Sequence, residues 1–139
     1  MHARPAPKIL ILESQMIIAA DVYLQFLKLG YEVIGINTCF EDALKTIERN
    51  RPDIVLMNID LPGEATRLRA ARILLESFQI PAVLLSTGID MEMFEGLKAV
   101  QPYAVVTKPF DSQGLQSGIE TALHRMAAEG LWRKKMKCN

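Results

Sequence analysis

The chain has 139 residues, half of them hydrophobic, with sixteen Lys and Arg set against sixteen Asp and Glu. That length carries one domain with a substantial core and excludes two ordinary ones. The even charge gives no basic surface of the kind that nucleic acid or an anionic membrane selects, and no apolar run approaches the roughly 20 residues that span a bilayer.

The opening MHARPAP is polar and Pro-rich, so no signal peptide is read there and residues 1–7 are expected to be flexible. Cys39 and Cys138 are far apart, without metal or redox spacing, which reads as free thiols in a reducing, cytoplasmic setting. Lys8 to Leu12 (KILIL) is a short apolar run, hence a buried strand. Ser14 is placed to cap a helix that begins near Gln15, runs to about Leu29 and stops at Gly30. Val33 to Ile36 is a second strand, and Phe40 to Asn50 a short helix with Ala43, Leu44 and Ile47 on one face. The stretch RPDIVLMNIDLPG holds a third strand that ends near Asn58. A helix from Thr66 or Arg67 to Phe78 follows, with Thr66 available as its cap. Pro81 opens a fourth strand through Leu85 or Ser86. Asp90 is placed to cap a helix of about ten residues with Met91, Phe94 and Leu97 on its core face. Tyr103 to Thr107 is a fifth strand. Lys108-Pro109 then breaks the chain before a last helix from Asp111 to Arg125 or beyond, with Leu115, Ile119, Leu123 and Met126 facing the core.

Strands alternating with helices make βαβ units, and right-handed crossovers put the helices on both faces of one parallel sheet. The expected fold is α/β: a single doubly wound domain over 8–127, with 128–139 as a helix extension or basic tail. Open sheets of this kind carry their sites at the carboxyl ends of the strands. The third strand, apolar throughout and so buried on both faces, brings Asn58 to that end, with Asp60 just beyond it.

In this order KILILES, LGYEVIG, RPDIVLMNIDLPGE, IPAVLLST and PYAVVTKPF resemble a bacterial receiver domain, the phosphoacceptor module of two-component response regulators, over residues 8 to 126. The resemblance implies a flavodoxin-like sheet of five parallel strands in the order 2-1-3-4-5. It also implies a chemistry that the residues contradict. At the position of Asn58 the family has an aspartate, which accepts a phosphoryl group from a histidine kinase. A pair of acids ends its first strand, where this chain has Glu13 and Ser14. Those acids, the aspartate and the backbone carbonyl at the position of Asp60 hold Mg²⁺ in the family. Ser86, with Thr87 beside it, and Lys108 match the residues that contact the phosphoryl group. Val105 replaces an aromatic whose rotation reports phosphorylation.

A carboxylate attacks phosphorus with a charged, free lone pair. The Asn58 amide has neither that charge nor that nucleophilicity, so no acyl phosphate is expected there. With Glu13 the one sure carboxylate opposite Lys108, Mg²⁺ binding is expected to be weak or absent. The pocket is read as metal-free, held by hydrogen bonds among Glu13, Asn58, Ser86 and Lys108, with Glu13 and Lys108 as ion-pair partners. Two further readings stay open. Ser86 or Thr87 can simply satisfy backbone groups at a strand end. Asp60 can be a displaced acceptor, although two residues along a strand is roughly 6.6 Å.

The first helix carries two apolar stripes. Ile18, Val22, Phe26 and Leu29 fit a core face, whereas Ile17, Ala20, Leu24 and Leu27 lie almost opposite. The second stripe is read as an exposed partner surface or a homodimer face, and alternatively as scattered exposed apolar residues on a rotated helix. In the family, this helix and the loop after Lys108 are where kinase phosphotransfer helices dock. Arg67, Arg69 and Arg72 read as solvated charge, and the run of Arg133, Lys134, Lys135 and Lys137 beside Trp132 is too short to argue for nucleic acid. His2 and His124 are isolated, so no metal site or catalytic dyad is read.

The expected function is that of a degenerate receiver: no enzyme, but a phosphorylation-independent protein-interaction module in two-component signalling, whose partner is a histidine kinase or another regulator. One alternative is a conventional phosphoacceptor receiver, with Asn58 as a site substitution or another acid in its place. The other is a flavodoxin-like small-ligand binder, for which the chain has no Gly-rich phosphate loop.

Overall fold

The computed structural model describes residues 6–58, 64–86, 95–98 and 101–131, with backbone alone at 64–67. Strands β1 (Lys8–Leu12), β2 (Glu32–Asn37), β3 (Ile54–Asn58), β4 (Ala82–Ser86) and β5 (Ala104–Thr107) pair in parallel, in the order β2-β1-β3-β4-β5. Between them run α1 (Met16–Lys28), α2 (Phe40–Arg49), α3 (Glu64–Phe78) and helical residues 95–98 (α4), and α5 (Ser112–Ala128) follows β5. The doubly wound α/β fold and the strand order read from the sequence are those observed.

Two apolar layers explain why the runs in the sequence differ. On one face, Ile9, Ile11, Ile54, Leu56, Val83, Leu85 and Val106 meet Ala19, Val22 and Phe26 of α1 and Leu115, Ile119 and Leu123 of α5. On the other, Leu10, Leu12, Val55, Met57, Ala82 and Leu84 meet Ala43 and Ile47 of α2 and Ala70, Ala71 and Leu74 of α3. β3 and β4 are buried at every residue and carry unbroken apolar runs up to their last residue, whereas β2 at the sheet's edge is half exposed. Each fully buried Leu or Ile contributes about 1.5–3 kcal/mol of transfer free energy, which makes these layers the dominant stabilising term.

Glycine is required at two places. Gly30 takes φ +85 just past α1, and the Tyr31 N–H donates back to the Phe26 carbonyl at 3.0 Å, closing the helix end. Gly118 lets α5 lie close on β5: a methyl group there would sit 2.5 Å from Val106 Cγ2.

The amino end of the sheet is tied by polar contacts within the chain. The Lys8 N–H donates to Asp53 Oδ2 at 2.8 Å, and the Arg51 guanidinium donates to the Phe78 carbonyl. Tyr103 donates its hydroxyl proton to Glu129, while the Arg125 guanidinium lies 4.1 Å from the centre of the Tyr103 ring and pairs with Glu129 at 3.1 Å. Burial, then the Glu129 bond, push the Tyr103 hydroxyl up to about 12. The same bond holds the Glu129 carboxyl below its usual value, with Arg125 helping.

Three readings need correction. α3 begins at Glu64, so Thr66 lies inside the helix and is not its cap. Ser14 does not cap α1: Gln15 holds the cap position, and its N–H donates to Glu13 Oε2 at 2.8 Å, because the buried Glu13 carboxylate reaches it first. In α1 the buried residues are Ala19, Val22 and Phe26, and Ile18 is only half buried, since the helix is rotated toward its small alanine. The expectations for Asp90, Met91, Phe94, the Arg67 side chain, residues 1–5 and the tail from Trp132 lie outside the described residues.

Candidate functional site

Four strands bring their carboxyl ends to one rim. Glu13 follows β1, Asn58 ends β3, Ser86 ends β4 and Lys108 follows β5. Asn58 pairs in register with Leu85, and Ser86 with Thr107, so these ends are staggered by one residue on neighbouring strands. Glu13, Asn58 and Ser86 are all buried, at 1%, 3% and 0% exposure. They stand there because the apolar strands that lead to them are walled by helices on both faces.

Strand alternation separates their directions. Asn58 continues the side of Ile54 and Leu56, toward α1 and α5, whereas Ser86 continues the side of Ala82 and Leu84. Val105, in register with Leu84, packs on that second side. The position with the family's reporter role therefore lies on the same face as Ser86 and carries a short aliphatic group.

The expected ion pair between Glu13 and Lys108 is not formed. One Glu13 oxygen accepts the Gln15 N–H, and the other, Oε1, is buried with no hydrogen-bond partner among the described residues. Lys108 is exposed, makes no ion pair among the described residues, and shares a groove with Asp21 instead. Glu13 Oε2 instead holds the start of α1 through the Gln15 N–H, and Lys108 lines the groove beside that helix. The four-residue hydrogen-bonded pocket is thus not the arrangement found. Asn58 and Ser86 each have an interaction partner. Asp60 and Thr87 lie outside the described residues.

The groove is bounded by Ile17, Ile18 and Asp21 of α1 and by Lys108, Pro109 and Phe110, and holds about 660 Å³. Ile17 is 87% exposed, Leu24 56% and Leu27 47%, and Ala20 and Met16 are exposed beside them. The two walls are joined by a residue the sequence reading missed. Gln25 Nε2 donates to the Phe110 carbonyl at 2.7 Å and to Asp21 Oδ2 at 3.0 Å, and Gln25 Oε1 accepts from Ser112 Oγ at 3.0 Å. Its signal was available: Asp21 and Gln25 are polar residues four apart, on the seam between two apolar stripes. Asn37 was missed as well. It ends β2, its carbonyl accepts the Glu13 N–H at 3.0 Å, and its buried Oδ1 has no hydrogen-bond partner among the described residues.

A family model for the response regulator receiver domain matches residues 9–120. The chain belongs to that family. The phyllosphere-induced regulator PhyR of Methylorubrum extorquens is 30% identical over 124 residues, which are 88% of this receiver's chain and 46% of the relative. The transcriptional regulatory protein PdtaR of Mycobacterium tuberculosis is 26% identical over 123 residues, 85% of this chain and 57% of that one. The chain thus spans about half the length of the curated relatives it matches. Among solved structures, the signal receiver domain of a modulated diguanylate cyclase from Desulfovibrio desulfuricans G20 superposes with a TM-score of 0.80 at 31% identity, over 90% of this chain and 99% of that one. The chemotaxis response regulator CheY4 of Vibrio cholerae shares the fold with a TM-score of 0.69 at 22% identity, over 85% and 99%.

Receivers are modules of two-component signalling. The described donors are one carboxylate at Glu13, half used in holding α1, an amide at Asn58 and a hydroxyl at Ser86. The described residues bring no three acidic, histidine or cysteine side chains together. Mg²⁺ favours carboxylate oxygens, and a set carrying one negative charge does not fit the ion in the family's manner. Among the described residues no helix is long and apolar enough to cross a membrane.

Proposed function

We propose that this receiver acts as a protein-interaction module whose output does not depend on aspartyl phosphorylation. The observation that carries the reading is Asn58, buried at the carboxyl end of β3 where the family's acceptor stands. Its neutral amide lacks the charge and the free lone pair that attack on phosphorus needs. Two features support it: Ser14 in place of a second acid, and Val105 in place of the reporting aromatic, so the acceptor, one metal-holding acid and the readout position all differ from the family's. Glu13 then serves as a positioning group for α1, and Ser86 as a strand-end group. Lys108 serves the outer groove. The partner is a signalling protein such as a histidine kinase or another regulator, or a second copy of the chain, engaged through the exposed face of α1 and the segment after β5.

Incubation with acetyl phosphate and Mg²⁺, followed by intact-mass measurement, tests this. The mass is expected to stay unchanged, in the wild type and in Asp60→Asn alike. A hydroxylamine-labile gain of one phosphoryl group in the wild type overturns the proposal, and its loss in Asp60→Asn would name the displaced acceptor.

A further inference from the structure

The groove beside α1 combines apolar side chains with one acid and one base. Ile17, the most exposed large apolar side chain described, stands at its lip, and the hollow behind it is lined by Ile18, Pro109 and Phe110. Its two charged residues have opposite signs, and Lys108 has no ion-pair partner among the described residues. We infer that the occupant of this groove is a second copy of the chain, docked about a two-fold axis. Ile17 of each copy enters the other's hollow, and Asp21 of each faces Lys108 of the other.

A two-fold interface requires a single patch to carry both halves of every contact. This patch carries knob and hollow, acid and base. A partner of another kind has to supply a matching pair of charges, whereas a second copy brings them by symmetry. The chain's balanced charge adds no long-range repulsion between copies. Leu24 and Leu27 continue the apolar strip along α1, so the contact is not confined to the groove. The inference deepens the interaction-module reading by naming an occupant for its surface, and it does not depend on Asn58.

Sedimentation of the full chain over a concentration series reads the outcome. The 15.6 kDa species is expected to give way, as concentration rises, to one of twice that mass. Ile17→Glu is expected to weaken association by about a hundredfold or more, as for a central apolar anchor. Its thermal melt by circular dichroism should match the wild type, because the side chain is exposed. Asp21→Lys alone and Lys108→Asp alone are each expected to weaken association by about tenfold through like-charge contact. An equimolar mixture of the two variants should recover wild-type affinity, since both contacts of the mixed pair join opposite signs. A wild type that stays monomeric throughout, a dimer indifferent to Ile17→Glu, or a mixture no tighter than its components would each overturn the second copy as occupant. None of these results bears on the mass test for phosphorylation, so the two readings fail separately.

Discussion

The two ends of the sheet treat polar groups differently. At the amino end, Asp53 receives the Lys8 N–H, Arg51 reaches the Phe78 carbonyl, and Tyr103, Glu129 and Arg125 close on one another. At the carboxyl end lie the two buried oxygens that have no hydrogen-bond partner among the described residues, Glu13 Oε1 and Asn37 Oδ1. Buried polar groups are nearly always satisfied when their only task is to hold a fold. The amino end is therefore scaffold, finished within the chain. The carboxyl rim, among the described residues, leaves these two buried oxygens unsatisfied.

The contrast can be tested by substitutions whose effects fall in order of size. The largest belongs to the joint between the ends. Gly118→Ala drives a methyl group to 2.5 Å from Val106 Cγ2, and is expected to lower stability by about 1–3 kcal/mol through overpacking, read by urea denaturation. At the amino end, Asp53→Ala leaves the part-buried Lys8 N–H without its acceptor, and should cost about 1 kcal/mol in the same assay. At the rim the sign reverses. Glu13→Gln keeps an oxygen for the Gln15 N–H and removes a buried, half-satisfied charge, so stability should hold or rise by up to about 1 kcal/mol. A loss as large as that of Asp53→Ala would erase the distinction between the two ends.

The smallest effect is the pH response of the Tyr103 clasp. Tyr103 has its folded pKa raised from 10.0 to about 12, so its contribution is whole below 10.0 and is lost as pH rises through about 12. Glu129 is shifted the other way, so its share is present above its usual value of 4.5 and is lost as pH falls through its lowered folded value. Tyr103→Phe should cost about 0.5 kcal/mol at neutral pH, at the low end because Glu129 is exposed, and should flatten the alkaline part of the melting profile.

Most of the fold was legible because it is written in periodicity. Leu115, Ile119, Leu123 and Met126 were read as the core face of the last helix, and all are buried on α5. β3 and β4 were read from unbroken apolar runs, and both are buried throughout. The site was legible only as positions: Glu13, Asn58, Ser86 and Lys108 follow from strand ends, but their partners do not. Ser14 is by composition the better helix cap, yet the neighbouring carboxylate takes the bond through a turn of the chain that residue type alone does not reveal. That Lys108 makes no ion pair among the described residues was missed for a similar reason, because the reach of a long side chain next to a proline is set by tertiary contacts. The start of α3 at Glu64, against the expected Thr66 or Arg67, is the ordinary uncertainty of a helix that follows a loop.

Gln25 is bonded through both ends of its amide, once to α1 itself and twice across to Phe110 and Ser112. Sliding α1 along its own axis would break the two cross-links at once, so the helix, the bend after β5 and the first turn of α5 travel as one block. Whatever grips the outer side of that block pulls on a backbone segment a few residues from Thr107, the register partner of Ser86. A load applied to the outer face of α1 is thereby passed to the backbone that follows β5.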